Sequence, residues 1–187
     1  TLSNLELLTL NSFVKRDHEF HLWAYSDLNS QIPKGVILKD ANSIIPKDQI
    51  FTYKTTSKCG LGKGSVAGFS DIFRYKLLYE IGGWWVDMDI TCLKHFDSTQ
   101  PYLFPKEIHY QCTGKVLKAP KQSDLMLDCL NESLQTVNED NDQWTKPIDI
   151  LIKKISKYDL NNYIIPEFTN YDSFIYVDLY KHYQIEM

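Results

Sequence analysis

The fold is decided by one stretch, residues 69–90, which reads FSDIFRYKLLYEIGGWWVDMDI. Its first half carries apolar residues at every fourth position, a spacing typical of an amphipathic helix. The four residues with this spacing are Phe69, Phe73, Leu77 and Ile81. Gly82 and Gly83 follow, and glycine is suited to the left-handed backbone that ends a helix. Because residues 84–88 are rich in strand-forming side chains, the stretch predicts a helix, a tight turn and a strand in succession.

Two carboxylates end the predicted strand. Side chains alternate between the two faces of a strand, so Trp85, Asp87 and Asp89 are expected on one face. Such carboxylates repel each other unless a cation lies between them, and Mg²⁺ and Mn²⁺ prefer oxygen ligands. Asp71 and Arg74 are three residues apart, which places them on one helical face that can approach these carboxylates. Taken singly, these features are most often a strand end and a surface ion pair, but the whole block is far more specific.

The stretch contains two linked motifs, Ser70-Asp71-x-x-Arg74 and Leu78-Tyr79-x-x-Gly82-Gly83-x-x-x-Asp87-x-Asp89. Together they resemble the signature of a glycosyltransferase family whose sugar-binding region carries a DXD motif. That family includes eukaryotic mannosyltransferases, bacterial polysaccharide-synthesis enzymes and the glucosylating domains of large toxins. The flanking residues 18–27, 144–147 and 163–168 also resemble segments of this family.

The resemblance implies an α/β fold of the GT-A type, with a Rossmann-type mixed sheet flanked by helices. It also implies a divalent metal, Mn²⁺ or Mg²⁺, and retention of the anomeric configuration. Asp89 resembles the metal ligand, and Asp87 resembles the acid that faces the ribose and the sugar and is a second candidate ligand. Asp71 and Arg74 resemble the pair that grips the sugar hydroxyls and the phosphate side, which makes both catalytic candidates together with Asp87. Trp85 stands where the family often has an aromatic residue beside the donor.

The predicted function is therefore transfer of a hexose from a UDP- or GDP-sugar to a saccharide, glycan or other hydroxyl acceptor, as in polysaccharide biosynthesis. Two alternatives stay open: a non-catalytic relative that binds carbohydrate or nucleotide, and a metal-dependent phosphohydrolase that uses the same carboxylates. In the family, a strand carrying part of the nucleotide site precedes the first helix. That strand is expected to be lacking in this chain, which leaves the residues that bind the base undetermined.

Length and charge narrow the classes of protein further. The chain has 187 residues, a length typical of a single domain, and we expect one domain over residues 1–187. The net charge of -4 argues against a nucleic-acid partner. No stretch approaches the ~20 apolar residues of a transmembrane helix. The four cysteines, Cys59, Cys92, Cys112 and Cys129, are predicted to be reduced thiols. We expect a cytoplasmic protein, with peripheral contact to a membrane-bound acceptor as an alternative.

Local signals predict the remaining elements. Ser3 and Glu6 form a capping-box pattern before a helix at residues 4–14. Strands are expected at residues 19–25 and 36–38, and later at 90–93, 102–104, 107–110 and 163–165. A helix capped by Ser123 is expected to end at residue 134, and another begins at Pro147. Between them, these elements indicate strands alternating with helices, and hence a sheet rich in parallel pairs.

A glycine-rich loop precedes the central helix, in residues 51–65. Its Gly60 to Ser65 segment resembles a phosphate-binding loop, but Gly64 follows Lys63 where that motif needs Ser or Thr. We instead predict a mobile loop that closes over the donor, with Ser65 as the cap of the helix. His182 is a weak candidate for completing the metal shell, since a partly exposed histidine in the tail is the commoner case.

Overall fold

A computed structural model describes residues 2–28, 31–58, 60–107 and 110–166. The helices are α1 (Asn4–Val14), α2 (Ala67–Glu80), α3 (Asp124–Thr136) and α4 (Lys146–Lys157). The strands are β1 (Phe20–Ala24), β2 (Val36–Asp40), β3 (Gly83–Val86), β4 (Phe104–Pro105), β5 (Val116–Ala119) and β6 (Ile164–Ile165). Short 3₁₀ turns occupy Ala41–Ser43, Lys47–Gln49 and Asn161–Tyr163. His182 lies outside the described residues.

The strands form three small sheets. Strand β1 pairs with β2 in parallel, β3 with β5 in antiparallel and β4 with β6 in parallel. One isolated bridge between Leu103 and Lys118 connects the start of β4 to β5. The predicted mixed α/β class is confirmed, and the four helices with their small sheets are consistent with a partial GT-A-like domain. No helix in the described part of the chain is long and apolar enough to cross a membrane.

Two hydrophobic cores hold these elements. The larger one joins α2, α3, α4 and β5, and its fully buried members include Tyr75, Leu78, Leu117, Met126 and Leu151. The smaller one joins α1 to β1 and β2, and its buried members include Leu10, Phe13, Phe20, Leu22 and Val36. The ring of Phe73 on α2 lies 6.3 Å from Tyr25, just after β1, and 6.3 Å from Trp85 on β3. Helix α2 therefore contacts both β1–β2 and β3–β5.

The ends of α1 and α2 follow the predicted chemistry. Ser3 and Glu6 form the full capping box at the start of α1. Gly82 has φ of +75°, and its N–H donates to the carbonyl of Leu78 at 2.9 Å, which ends α2 as expected. A side chain there would also place a Cβ 2.5 Å from the backbone nitrogen of Lys121. At the other end of α2, the N-cap is Val66, one residue later than predicted, although Ser65 Oγ still accepts from the N–H of Ala67.

Three strand predictions differ from the structure. Residues 90–93 form no strand, because the N–H of Cys92 donates to Ser12 Oγ and that of Ile90 to the carbonyl of Asp87, rather than to a neighbouring strand. Glu107 is irregular, and residues 108–109 lie outside the described part, so the strand at 107–110 is not observed. Strand β3 ends at Val86 and not at residue 88. Strand β5, which the sequence did not indicate, pairs with it.

Candidate active site

One large cavity gathers the predicted site residues. It has a volume of about 1260 Å³ and is bounded by β1, α2, β3 and the segment that leads into β5. All five residues singled out from the sequence lie on its wall: Asp71, Arg74, Trp85, Asp87 and Asp89. The helix–turn–strand unit therefore places residues up to 18 positions apart around one space, as its local geometry requires.

Arg74 is the centre of the site. Its Nη1 donates to Asp71 Oδ1 at 2.5 Å and its Nη2 donates to Asp87 Oδ1 at 2.9 Å. The side chains of Arg74 and Asp71 are only 6% and 14% exposed. The helical spacing of Asp71 and Arg74 thus produces a largely buried ion pair, and not the surface pair that such a spacing usually gives.

Trp85 completes the cluster around Asp87. The indole Nε1 donates to Asp87 Oδ1 at 2.6 Å, so this oxygen receives hydrogen bonds from both Trp85 and Arg74. The guanidinium carbon of Arg74 lies 5.1 Å from the centroid of the Trp85 ring, a distance suited to a cation–π contact. The Asp87 carboxylate and the Trp85 ring therefore connect helix α2 to strand β3 through Arg74.

Gly114 makes room for the guanidinium. A Cβ at this position would lie 2.1 Å from Arg74 Nη1 and 2.8 Å from Cδ1 of Ile148. Any side chain at residue 114 would thus displace the arginine from its position between the two carboxylates. Sequence reasoning missed Gly114, because its role depends on a contact across 40 residues of chain.

Asp89 lies on the cavity wall, but not on the face of a strand as the sequence predicted. Strand β3 ends at Val86, and Asp89 lies in a turn in which the N–H of Ile90 donates to the carbonyl of Asp87. The alternation of side chains along a strand consequently does not apply to Asp89, although Asp87 and Trp85 do lie side by side. The prediction of a shared face was correct for that pair alone.

Two small residues of α1 form hydrogen bonds with this turn and with the segment that follows it. Thr9 Oγ1 donates to the carbonyl of Met88 at 2.8 Å, and Ser12 Oγ accepts from the N–H of Cys92 at 2.9 Å. Both side chains are buried within α1. Sequence reasoning missed them, although two small polar residues three apart on the buried face of a helix were an available signal.

The site holds more negative than positive charge. Burial raises the pKa of Asp71 to about 6, against the attraction of Arg74 and with a further rise from Asp87. Burial and the charge of Asp87 also raise the pKa of Asp89. Burial disfavours the charged form of Arg74, but Asp87 and Asp71 outweigh it and raise the pKa of the guanidinium. Asp71, Asp87 and Asp89 share this wall with the basic residues Arg74 and Lys115, so these five side chains carry a negative surplus.

Asp87 and Asp89 fit a divalent metal ion. Their carboxylate oxygens are the ligands that Mg²⁺ and Mn²⁺ prefer, and the charge surplus would be reduced by a dication. Among the described residues there is no group of three or more His, Cys, Asp or Glu side chains that could hold a metal. Mg²⁺ is commonly bound by one or two carboxylates together with water and the phosphates of a substrate.

Taken together, the fold and this site define an α/β protein with a large cavity and a charged cluster on its wall. Comparison with known proteins gives the particular family. The family model for the glycosyltransferase sugar-binding region containing a DXD motif matches residues 6–104, just over half of the chain. The chain belongs to this family, as the resemblance predicted. No curated protein and no solved structure matches it.

Family membership identifies a glycosyltransferase-type sugar-binding region and indicates transferase activity. The matched residues include most of α1 and all of α2 and β3, and with them the five predicted site residues. Gly114 and the rest of the β5 side of the cavity lie beyond the match.

Proposed function

We propose that this protein transfers a hexose from a UDP- or GDP-sugar to a hydroxyl group of a saccharide or glycan, with a divalent metal and with retention of configuration. One observation carries the proposal: the buried Asp71–Arg74–Asp87 cluster lies on the wall of a cavity of about 1260 Å³, beside Asp89. A nucleotide sugar offers hydroxyls, a diphosphate and flat apolar faces, and each has a counterpart on this wall.

The carboxylates suit the sugar. Asp71 and Asp87 are hydrogen-bond acceptors when ionised, and sugar hydroxyls are donors that can reach them. Arg74 fixes the orientation of both carboxylates through Asp71 Oδ1 and Asp87 Oδ1. The ring of Trp85, held by its bond to Asp87, offers an apolar face to the sugar or the base. In this proposal the cluster orients the donor before transfer begins.

Asp87 and Asp89 would hold the metal ion. When bound, Mn²⁺ or Mg²⁺ supplies stabilisation of the negative charge that develops on the departing diphosphate. The hydrogen bond from Thr9 to Met88 holds the turn on which Asp89 lies, and so keeps the two carboxylates on the same wall.

A donor assay tests the proposed activity. The protein is incubated with UDP- and GDP-hexoses in Mn²⁺, Mg²⁺ or EDTA, with and without saccharide acceptors, and the products are separated by mass spectrometry. We expect a glycosylated acceptor and a nucleoside diphosphate, with little product in EDTA. Cleavage of the diphosphate itself would favour a phosphohydrolase, and binding of donor without turnover would favour a non-catalytic relative.

The variant Asp89→Asn tests the metal site separately. Removing one of two repelling carboxylates should leave the stability of the metal-free protein unchanged or slightly raised, while stabilisation by Mn²⁺ and metal-dependent donor cleavage are lost. Asp48→Asn is the control, because Asp48 is exposed and lies away from the cavity wall. Thermal melts with and without Mn²⁺ give the readout. An Asp89→Asn protein that Mn²⁺ still stabilises and that still cleaves the donor would contradict the assignment.

A further inference from the structure

All four tryptophans of the chain lie on the cavity wall: Trp23, Trp84, Trp85 and Trp144. Two of these rings have a cation beside them. The guanidinium carbon of Arg74 lies 5.1 Å from the centroid of the Trp85 ring, and the Lys118 ammonium lies 5.3 Å from that of Trp84. A ring covered in this way has less surface left for a ligand. In the described part of the chain, no cation lies over Trp23 or Trp144.

Trp144 makes few contacts of its own. Its ring lies 6.1 Å from that of Tyr53, at an angle of 63°. The indole N–H of Trp85 donates to Asp87, whereas that of Trp144 donates to no group among the residues that the structure describes. Because Trp144 is also partly exposed on the cavity wall, its ring and its N–H can both contact a ligand.

Neighbouring contacts place Trp144 at the Asp71 end of Arg74. The nitrogen of Arg74 that donates to Asp71 is Nη1. A Cβ at Gly114 would lie 2.1 Å from this nitrogen and 2.8 Å from Cδ1 of Ile148, so the Ile148 side chain lies near the same end of the guanidinium. Trp144 is four residues before Ile148, and both are on the cavity wall.

Tyr53 supports the same position. This residue is 2% exposed, and a Cβ at Gly68 would lie 2.2 Å from its Oη. Gly68 is three residues before Asp71 on α2, so Tyr53 packs against the part of α2 that carries Asp71. The ring that contacts Trp144 is therefore itself fixed beside Asp71.

The backbone on both sides of Trp144 is anchored. Oδ2 of Asp149, in the first turn of α4, accepts from Gln143 Nε2 at 2.6 Å and from Thr145 Oγ1 at 3.0 Å. The carbonyl of Glu139 accepts from the N–H of Lys54 at 2.7 Å, which connects this loop to the one before α2. Trp144 is thus held in place before any ligand binds, which lowers the entropy cost of binding.

The candidate site consequently has two ends. Asp87 and Asp89 are the proposed metal ligands, and the diphosphate of the donor is expected beside them. With the diphosphate there, the donor sugar extends toward Asp71, and the Trp144 end is left for the acceptor. A pyranose ring has an apolar C–H face and a rim of hydroxyls, which match the electron-rich face of an indole and its N–H donor.

We propose that Trp144 binds the acceptor saccharide, with the C–H face of one pyranose ring packed on the indole and a hydroxyl oxygen accepting from its N–H. The inference rests on the proposed function, since the acceptor belongs to the proposed transfer. Trp144 lies outside the residues 6–104 that the family model matches, so the assignment depends on its contacts.

Nuclear magnetic resonance of the indole groups tests the assignment. The tryptophans are labelled with ¹⁵N, and their signals are assigned with variants that replace one tryptophan at a time by phenylalanine. The methyl glycosides of α-mannopyranose, β-glucopyranose and β-galactopyranose are titrated into the protein saturated with UDP and Mn²⁺. Sorbitol is the reference probe, because it has hydroxyls but no ring. We expect the Trp144 signal to move with at least one glycoside and not with sorbitol.

Variants of Trp144 give the size of the effect. Trp144→Ala removes the ring and the N–H and should weaken glycoside binding by about tenfold, while Trp144→Phe keeps a ring and should lose less. Tyr158→Ala is the control, because Tyr158 is a partly buried aromatic residue at the other end of α4 and lies off the cavity wall. Thermal melts establish that each variant is folded.

Calorimetry with UDP-glucose and GDP-mannose separates the acceptor from the donor sugar. Both nucleotide sugars should bind to Trp144→Ala as they do to the parent protein. A loss equal to that for the glycosides would instead place Trp144 on the donor sugar and overturn the assignment.

Other results would overturn it too. Unchanged glycoside affinity of Trp144→Ala would do so, as would a shift of the Trp23 signal in place of that of Trp144. A parent protein that binds nucleotide sugars but none of the glycosides would contradict the role of Trp144 and leave the proposed donor class intact. A parent protein that binds neither would overturn the proposed function itself, and the role of Trp144 with it.

Discussion

Two clusters of this molecule both contain acidic and basic side chains in ion pairs, but they differ in the balance of charge. In the cavity, Arg74 binds two carboxylates, and Asp89 lies on the same wall. Between α3 and α4, Lys154 lies 2.8 Å from Glu132 and 3.6 Å from Asp128. The second cluster also contains two more lysines, Lys153 and Lys157.

The carboxyl groups respond in opposite directions. Burial raises the pKa of Asp71, whereas hydrogen bonds from lysines lower the pKa of Asp128 and of Glu132. Three lysines face two acids between the helices, while in the cavity Asp71, Asp87 and Asp89 share the wall with Arg74 and Lys115. The acids between α3 and α4 are fully balanced by the lysines around them. The cavity cluster keeps a negative surplus of the kind found at functional sites. Each prediction below tests this contrast.

Arg74→Ala should have the largest effect. Removing the guanidinium leaves Asp71 buried without its partner, and such losses cost about 3–5 kcal/mol of unfolding free energy. The loss should be smaller at pH 5 than at pH 7, because the buried carboxyl can then be neutralised by a proton. Urea denaturation at both pH values measures it. Lys157→Ala is the control and should cost much less, because its side chain is 57% exposed and its ion pair with Asp128 is screened by solvent; equal losses for the two variants would contradict the contrast.

Asp71→Asn should change how stability depends on pH. The folded pKa of Asp71 is raised from 3.8 to about 6, so its carboxyl favours folding most below pH 3.8 and loses that contribution as pH rises through 6. The unfolding free energy of the variant, relative to the parent, should therefore rise by roughly 3 kcal/mol between pH 3.5 and 7. Urea titrations across this range give the curve. A flat difference would mean that Asp71 titrates normally in the folded protein.

Gly114→Ala tests the space around the guanidinium. The new Cβ would lie 2.1 Å from Arg74 Nη1, so either the arginine or the segment of residue 114 must move. Overpacking of this kind costs about 1–3 kcal/mol. The cost should be smaller in an Arg74→Ala background, where one of the two contacted side chains is gone. Equal costs in both backgrounds would show that Ile148, the other close contact, is responsible.

The sequence was sufficient for the part of the site that is local. Asp71 and Arg74 are three apart on α2, and Gly82 ends that helix just before β3 brings Trp85 and Asp87 back. Helical spacing and glycine chemistry determine this geometry without help from the rest of the chain. The helices α1, α3 and α4 were predicted for the same reason, since their caps and apolar spacing lie within a few residues.

The parts of the fold and of the site that the sequence did not predict depend on contacts between residues far apart in the chain. Strand β5 has four residues and acquires its identity by pairing with β3, while Thr9 holds Met88 across 79 positions. The predicted strand at residues 90–93 failed because its backbone groups bind within the turn and to α1. Gly114 and Lys115 could not be connected to the site, because nothing near them in the sequence indicates that they lie beside Arg74 and Asp87.

Asp128→Asn should have the smallest effect and the opposite dependence on pH. Asp128 accepts from Lys157 at 2.6 Å and from Tyr158 at 2.9 Å, and these hydrogen bonds lower its pKa. A lowered pKa gives stability that is present above the pKa of the unfolded chain and is lost as pH falls through the folded value. Since the side chains of Asp128 and Lys157 are 29% and 57% exposed, we expect a cost of about 0.5–1 kcal/mol at pH 7, smaller in 0.5 M NaCl and smaller at pH 3 than at pH 7. Binding of UDP and GDP should not change, because α3 lies off the cavity wall.

Urea denaturation at the two pH values, with calorimetry at pH 7, checks both statements. A stability loss that grows as pH falls, or a change in nucleotide affinity, would contradict the view that the charges between α3 and α4 are balanced among themselves.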